Sequence, residues 1–327
     1  MTGVISSADV RPLKLAVCGS GRWGQVIMRN IASSPDLVLA AVVSSRPSLP
    51  DSLSFGAPVF ADWRAAHSRV GLDGIVLALP PDCQAEIASD IIEAGLPLFM
   101  EKPLALSNDA VQRLIQAADT FGFVGLVDHL HLFSPEFREL VRQVRDRGDV
   151  CAITAISGNR GPGRDLWSVL WDWAPHDVAM VLTVMETVPV SVSAAIVERA
   201  ADGAQALENV SLKLEFADGT VANITTGNAF DRRCREFVVC IGDTTLTYAE
   251  SADNERSLLI LQGDDAQPAC VDSIAPLTAA LAEFAIRIRR GVGGDSDLAL
   301  GAEVVRVLSA AEESMKRGAA VSLKPGL

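Results

Sequence analysis

The sequence predicts an α/β chain, with a doubly wound parallel sheet in its first part and a strand-rich, largely antiparallel second part. Three observations carry this. Up to about residue 127, short apolar runs alternate with segments whose apolar residues recur at helical spacing. A glycine loop, Gly19-Ser20-Gly21-Arg22-Trp23-Gly24, joins the first apolar run to the first helical segment. Beyond about residue 147 the helical spacing gives way to successive β-branched and apolar runs.

In order, the first strand is read at 13–18 and the first helix at 24–33, with Val26, Ile27 and Ile31 turned inward. A second strand at 37–44 leads to a short helix at 62–68. A third strand at 74–79 precedes a helix at 83–94, and a fourth at 96–100 precedes a helix at 108–121. That last helix places Val111, Leu114, Ile115 and Ala118 on one face. The fifth strand is 123–127. A helix at 135–147 then opens a series of strands at 150–157, 188–197, 210–216, 221–226, 237–241, 244–248 and 257–261. Asp218-Gly219 is a hairpin turn, and two loops in this series are too short for a parallel crossover, so much of this sheet is antiparallel. Helices at 275–290 and 300–316 close the chain. Three parts follow: a flexible N-terminus at 1–12, a dinucleotide-binding domain at 13–127 and a second domain at 128–327.

The chain's 327 residues suffice for two domains, and 49% apolar residues suffice for their cores. No apolar run reaches the ~20 residues that span a bilayer, and the first residues lack the apolar stretch of a secretory signal. A cytoplasmic protein with no membrane partner is expected. A formal net charge of −13 would repel a phosphate backbone, so nucleic acid is not an expected partner. The cysteines Cys18, Cys83, Cys151, Cys234, Cys240 and Cys270 form no C-x-x-C pair and no zinc-like cluster with histidine. They are expected to be mostly buried free thiols in a reducing compartment, and no metal is expected.

The glycine loop has the spacing of a dinucleotide-binding turn. Gly19 permits the tight turn, Gly21 lets the backbone approach a pyrophosphate, and Gly24 lets the helix pack on its strand. The helix N-terminus then offers free N–H groups to the phosphates. The second strand of such a unit ordinarily ends in an acidic residue that binds the ribose 2′-hydroxyl of NAD. Here it ends Ser44-Ser45-Arg46, with no carboxylate before Asp51. Two hydroxyls and a guanidinium suit a 2′-phosphate, which favours NADP over NAD. A solvated loop arginine is the plainer alternative.

After the fourth strand comes Glu101-Lys102-Pro103. Ligands of a parallel α/β sheet bind beyond the C-terminal ends of its strands, so Lys102 belongs beside the cofactor's reactive ring. A lysine partly stripped of water there exchanges protons near neutrality. His176 follows Asp172 by four residues, which puts both on one face of a helix read at 173–187. A carboxylate at that spacing orients an imidazole and raises its basicity. Asp172 could instead cap that helix, although Pro175 would then leave only the Ala174 N–H to be capped. His129 and His131 alternate after the fifth strand and point to opposite sides if the backbone stays extended; one of them would face substrate. His67 is expected to be solvated. Trp171 and Trp173, with Trp167, form either a stacking wall for a ring or core packing.

On the glycine loop, Glu101-Lys102-Pro103 and Asp172-Trp173-Ala174-Pro175-His176-Asp177, the chain resembles the Gfo/Idh/MocA oxidoreductase family; the stretches 283–291 and 311–321 resemble that family's ending. The resemblance implies an N-terminal Rossmann domain and a C-terminal α+β domain with a large open sheet. It also implies association as a homodimer or homotetramer through that sheet. It makes Lys102 both cofactor-proximal and catalytic, with His176 and Asp172 handling a substrate hydroxyl. Cofactor contacts would come from Leu79, Pro80 and Gln84 after the third strand, where Gln84 replaces a histidine common in the family. Leu132-Phe133-Ser134-Pro135 likewise lacks an arginine that many members carry. The expected activity is NAD(P)-dependent hydride transfer at a hydroxyl or carbonyl carbon of a sugar, nucleotide-sugar or cyclic polyol. The alternatives are an NADPH-dependent reductase of imines or enones and a non-catalytic dinucleotide sensor.

Overall fold

A computed structural model describes residues 11–46, 49–161, 168–202, 205–272 and 274–324. Most of the N-terminal stretch read at 1–12 lies outside the described residues, as does Trp167. The chain forms two units. The first comprises the described residues of Met1–Ala105, Asp109–Asp128 and Leu277–Leu298; the second comprises those of Leu106–Asn108, His129–Pro276 and Ala299–Leu327. The return of Leu277–Leu298 to the first unit is absent from the sequence reading.

The first unit begins β1 (Leu13–Cys18), α1 (Arg22–Ala32), β2 (Leu37–Val43), α2 (Asp51–Ser54), β3 (Val59–Phe60), α3 (Trp63–Val70) and β4 (Gly74–Leu77). It continues α4 (Pro81–Glu93), β5 (Leu98–Glu101), α5 (Asn108–Phe121) and β6 (Gly125–Asp128). The six strands form one parallel sheet in the order β3-β2-β1-β4-β5-β6, the doubly wound Rossmann order. Strands β4, β5 and β6 are buried along their whole length, which is why they read as continuous apolar runs rather than alternating ones. Helix α3 starts where Asp62 Oδ1 accepts the N–H groups of Arg64 and Ala65 at 2.7 and 3.3 Å. It ends where His67 Nδ1 accepts the Leu72 N–H at 3.2 Å, so His67 closes a helix rather than standing free in solvent.

The second unit contains a 3-10 helix (Leu130–Phe133), α6 (Pro135–Arg147), β7 (Ala152–Arg160), α7 (Val169–Met185), β8 (Ser191–Asp202), β9 (Gln205–Glu215) and β10 (Val221–Gly227). Strands β11 (Ala229–Ile241), β12 (Thr244–Glu250), β13 (Arg256–Gln262) and β14 (Asp265–Pro268) follow. Together with β15 (Val321–Ser322) these strands form a nine-stranded sheet in the order β14-β13-β12-β11-β7-β10-β9-β8-β15. It is antiparallel except between β7 and β10. The expected hairpin at Asp218-Gly219 joins β9 to β10, and Asp218 Oδ1 accepts the Thr220 N–H at 2.9 Å.

Helix α8 (Pro276–Arg290) belongs almost entirely to the first unit, and α9 (Asp295–Arg317) begins there and continues in the second. Phe284 on α8 meets Phe99 of β5 edge-on at 5.8 Å, a contact worth about 0.5–1.5 kcal/mol beyond area burial. Arg287 donates to the Gly125 carbonyl at 2.7 Å and pairs with Asp297.

The thiol expectation needs correction. All six cysteines are free, but Cys18 alone is buried, while Cys151 and Cys270 are exposed. The reason is position: Cys151 precedes β7 and Cys270 follows the exposed edge strand β14. Among the described residues no helix is long and apolar enough to cross a membrane.

Candidate active site

In the first unit the glycine loop is closely packed between β1 and α1. Gly19 adopts φ +113°, and a Cβ there would stand 2.2 Å from the Ala78 carbonyl oxygen. A Cβ on Gly24 would stand 2.1 Å from the Gly19 carbonyl oxygen, so this glycine is what lets α1 approach its own loop. A Cβ on Gly21 would meet nothing within 4 Å. Gly21 is the N-cap of α1 and supplies no capping side chain, and no acidic residue occupies the first turn. The loop therefore aims uncapped N–H groups and the positive end of the helix into open space beside Gly21, the surroundings a pyrophosphate requires.

The end of β2 is tied to this loop. Ser44 Oγ lies 2.9 Å from Ser20 Oγ and accepts the Arg46 backbone N–H at 3.1 Å. Ser45 and Arg46 are exposed, and no carboxylate follows Val43 within this turn. Leu79 is half-buried and Pro80 exposed at the end of β4, where Pro80 precedes the first residue of α4.

Glu101 ends β5 at the C-terminal edge of the sheet, Lys102 and Pro103 follow it, and the Lys102–Pro103 peptide is cis. Trp23, on the first turn of α1, donates its Nε1 proton to Glu101 Oε1. Gln84 Nε2 donates to the carbonyl oxygens of Glu101 and Pro103. Gln84 is thus spent largely on holding the turn, and its Oε1 is buried without a partner among the described residues. Glu101 sits opposite Asp128 in the β5–β6 register. Burial pushes both carboxyls above the usual range, Asp128 well above it; the Lys102 charge opposes the rise in each.

In the second unit α7 begins at Val169, four residues earlier than expected. Ser168 is the N-cap residue, and its carbonyl accepts the N–H groups of Trp171 and Asp172 at 3.0 and 3.2 Å. Asp172 therefore lies inside the first turn, which removes the alternative that it caps the helix. The four-residue spacing from Asp172 to His176 keeps both on one face. Trp171 is buried, and its Nε1 points to Glu312 at 3.3 Å; Trp173 is half-buried.

The extended backbone expected around His129 and His131 is replaced by the 3-10 helix, so simple alternation does not apply. Both histidines are buried. The His131 ring meets the His176 ring edge-on, with centroids 5.1 Å apart and planes at 85°. Behind it, His131 Nδ1 lies 3.2 Å from the Tyr248 hydroxyl and 3.8 Å from Glu250, which pairs with Arg233 at 2.7 Å. Burial pushes the Tyr248 phenol up to about 12. Asp177, next to His176, accepts from Ser157 on β7 at 2.5 Å and pairs with Arg235 on β11. This buried tie fixes the rotation of α7 on the sheet.

Tyr248, Glu250, Asp177 as an anchor and Asp128 were not singled out from sequence. Each works through a partner from a distant strand, and local spacing carries no signal for such a pairing. Among the described residues no group of His, Cys, Asp and Glu could hold a metal ion.

Residues 13–129 match the model of the Gfo/Idh/MocA oxidoreductase family, described as having an NAD-binding Rossmann fold. The crystal structure of a protein described as an oxidoreductase from Magnetospirillum magnetotacticum MS-1 is 34% identical, with TM-score 0.81, over 92% of this chain and 99% of that one. The chain belongs to the Gfo/Idh/MocA oxidoreductase family. Within that family, the inositol 2-dehydrogenase of Rhizobium meliloti is 24% identical over 225 residues, 65% of this chain and 68% of that protein. The aldose-aldose oxidoreductase of Caulobacter crescentus shares the fold at TM-score 0.81 and 20% identity, over 96% of this chain and all of that one. This Gfo/Idh/MocA chain is therefore an oxidoreductase with a Rossmann domain of the family's NAD-binding type.

Proposed function

We propose that the chain is an NADP-preferring dehydrogenase that oxidises a secondary hydroxyl of a sugar, nucleotide-sugar or cyclic polyol, and runs the reverse reduction. The observation that carries this reading is the Glu101-Lys102-Pro103 turn. It stands at the C-terminal edge of the parallel sheet and is tied by Trp23 to the helix that begins at the phosphate loop. A lysine held there is placed for proton exchange beside a bound dinucleotide.

The uncapped N–H groups after Gly21 would hold the pyrophosphate, and Ser44, Ser45 and Arg46 would hold the adenosine ribose with its 2′-phosphate. When bound, the nicotinamide accepts or supplies the hydride. The chain's own residues handle the proton. In oxidation a carbon–hydrogen and an oxygen–hydrogen bond are both lost and a carbonyl forms; Lys102 and His176 take up the hydroxyl proton, and in reduction they return it. Asp172, one helical turn before His176, orients its imidazole.

The dehydrogenase relatives support a hydroxyl or carbonyl carbon over an imine or enone. The exposed side chains of Leu259 and Leu261, two residues apart on one face of β13, support self-association through the large sheet. A panel of myo-inositol, free aldoses and uridine-diphosphate sugars, each with NADP and with NAD, tests the reading by the absorbance of reduced nicotinamide. Turnover with a polyhydroxy substrate and a lower KM for NADP is expected. Turnover confined to imines or enones would overturn the substrate class.

A further inference from the structure

We propose that Asp128 is a positioning residue for Lys102: it keeps a proton at neutral pH and donates it to Glu101, so the two carboxyls together set a single negative charge against the lysine. The inference rests on the role given to Lys102 above, but its first test does not depend on turnover.

Glu101 and Asp128 occupy paired positions on neighbouring parallel strands, so their side chains leave the sheet on the same face. Both are buried, Asp128 at 1% exposure, and each carboxyl lies within electrostatic reach of the other. A carboxylate cannot donate, so two buried carboxyls side by side share a hydrogen bond only if one of the two is protonated. The surrounding donors decide which. Glu101 receives the Trp23 indole N–H and the Lys102 backbone N–H. Neither oxygen of Asp128 has a hydrogen-bond donor among the described residues. The better-solvated partner is the ionised one, so the proton belongs on Asp128.

The charge acting on both carboxyls is that of Lys102. Two ionised carboxylates would hold the ammonium proton too tightly for exchange, and none would withdraw this pair's charge from it. One shared proton gives the intermediate case. It also keeps Glu101 ionised, as an acceptor for Trp23, which joins the lysine turn to the helix of the phosphate loop.

The test is infrared spectroscopy of the full chain at pH 7, with carbon-13 in the aspartate or the glutamate carboxyls. The expected result is a protonated-carboxyl C=O band that moves with the aspartate label and is lost in Asp128→Asn. No such band, or a band that moves with the glutamate label, overturns the proposal. Carbon-13 NMR of ε-labelled lysine, with the Lys102 signal assigned by Lys102→Met, then reads the link to the lysine. Asp128→Val removes the donor, drives Glu101 towards its neutral form and is expected to lower the Lys102 titration midpoint by about one pH unit. Asp128→Asn still donates and is expected to restore the wild-type midpoint. An unchanged midpoint in Asp128→Val overturns the positioning role. Failure of the sugar panel would leave both spectroscopic results standing, so the two readings fail separately.

Discussion

Ser20 Oγ lies 2.9 Å from Ser44 Oγ, joining the phosphate loop to the end of β2 and leaving Arg46 exposed beside the joint. If Arg46 grips a 2′-phosphate, Arg46→Ala removes a charge-assisted contact of about 1.5–3 kcal/mol, or roughly 10- to 100-fold in affinity. Fluorescence titration should show that loss for NADPH and less than about threefold for NADH. Equal losses for both would return Arg46 to the role of a solvated loop residue.

Two of the loop glycines are expected to fail in different ways. Gly19→Ala puts a Cβ against the Ala78 carbonyl in a backbone region that suits glycine, at a cost of about 1–3 kcal/mol of stability. Gly21→Val meets open space, so its Tm should stay near the wild-type value while dinucleotide affinity falls by about 100-fold. Thermal unfolding and cofactor titration of the two variants separate folding from binding.

Asp177 is predicted to be structural despite its place beside His176. Asp177→Ala leaves Arg235 buried without its counter-charge, a change that costs about 3–5 kcal/mol. The urea midpoint should drop accordingly. A variant of unchanged stability would show that the tie does not hold α7.

The carboxyl pair gives stability a pH dependence of definite sign. Burial raises Asp128 and Glu101 above their unfolded values, so folding takes up protons wherever the unfolded chain has released them. The fold is therefore least penalised at low pH and loses stability as pH rises through the folded-state value. Keeping on Asp128 a proton that the unfolded chain releases therefore costs more stability the higher the pH. Asp128→Asn should match wild type near pH 4 and unfold at a higher temperature near pH 8. A difference that shrinks as pH rises would contradict this.

Much of the parallel sheet was legible in the sequence, because its strands are buried on both faces and its helices carry regular apolar spacing. The first strand at 13–18 and the helices at 108–121 and 135–147 agree with the structure at both ends. The two-residue strands β3 and β15 were not legible, since two residues show no period. Nor was the return of α8 to the first unit, which rests on Phe284 meeting Phe99 from far along the chain. Of the proposed site residues, Lys102, Asp172 and His176 stand out by motif. The 3-10 turn at Leu130–Phe133, the His131–Tyr248 contact and the Asp128–Glu101 pair do not, because each depends on tertiary neighbours that override local pattern.

The central claim is that Lys102 exchanges the proton that accompanies hydride transfer. It is tested most directly by comparing wild type with Lys102→Met, using the best polyhydroxy substrate of the panel and measuring kcat alongside cofactor affinity. Proton exchange by a placed side chain contributes about 100- to 10,000-fold, so kcat should fall by at least about 100-fold while NADPH affinity stays within about threefold. A Lys102→Met enzyme that turns over at the wild-type rate would contradict the account.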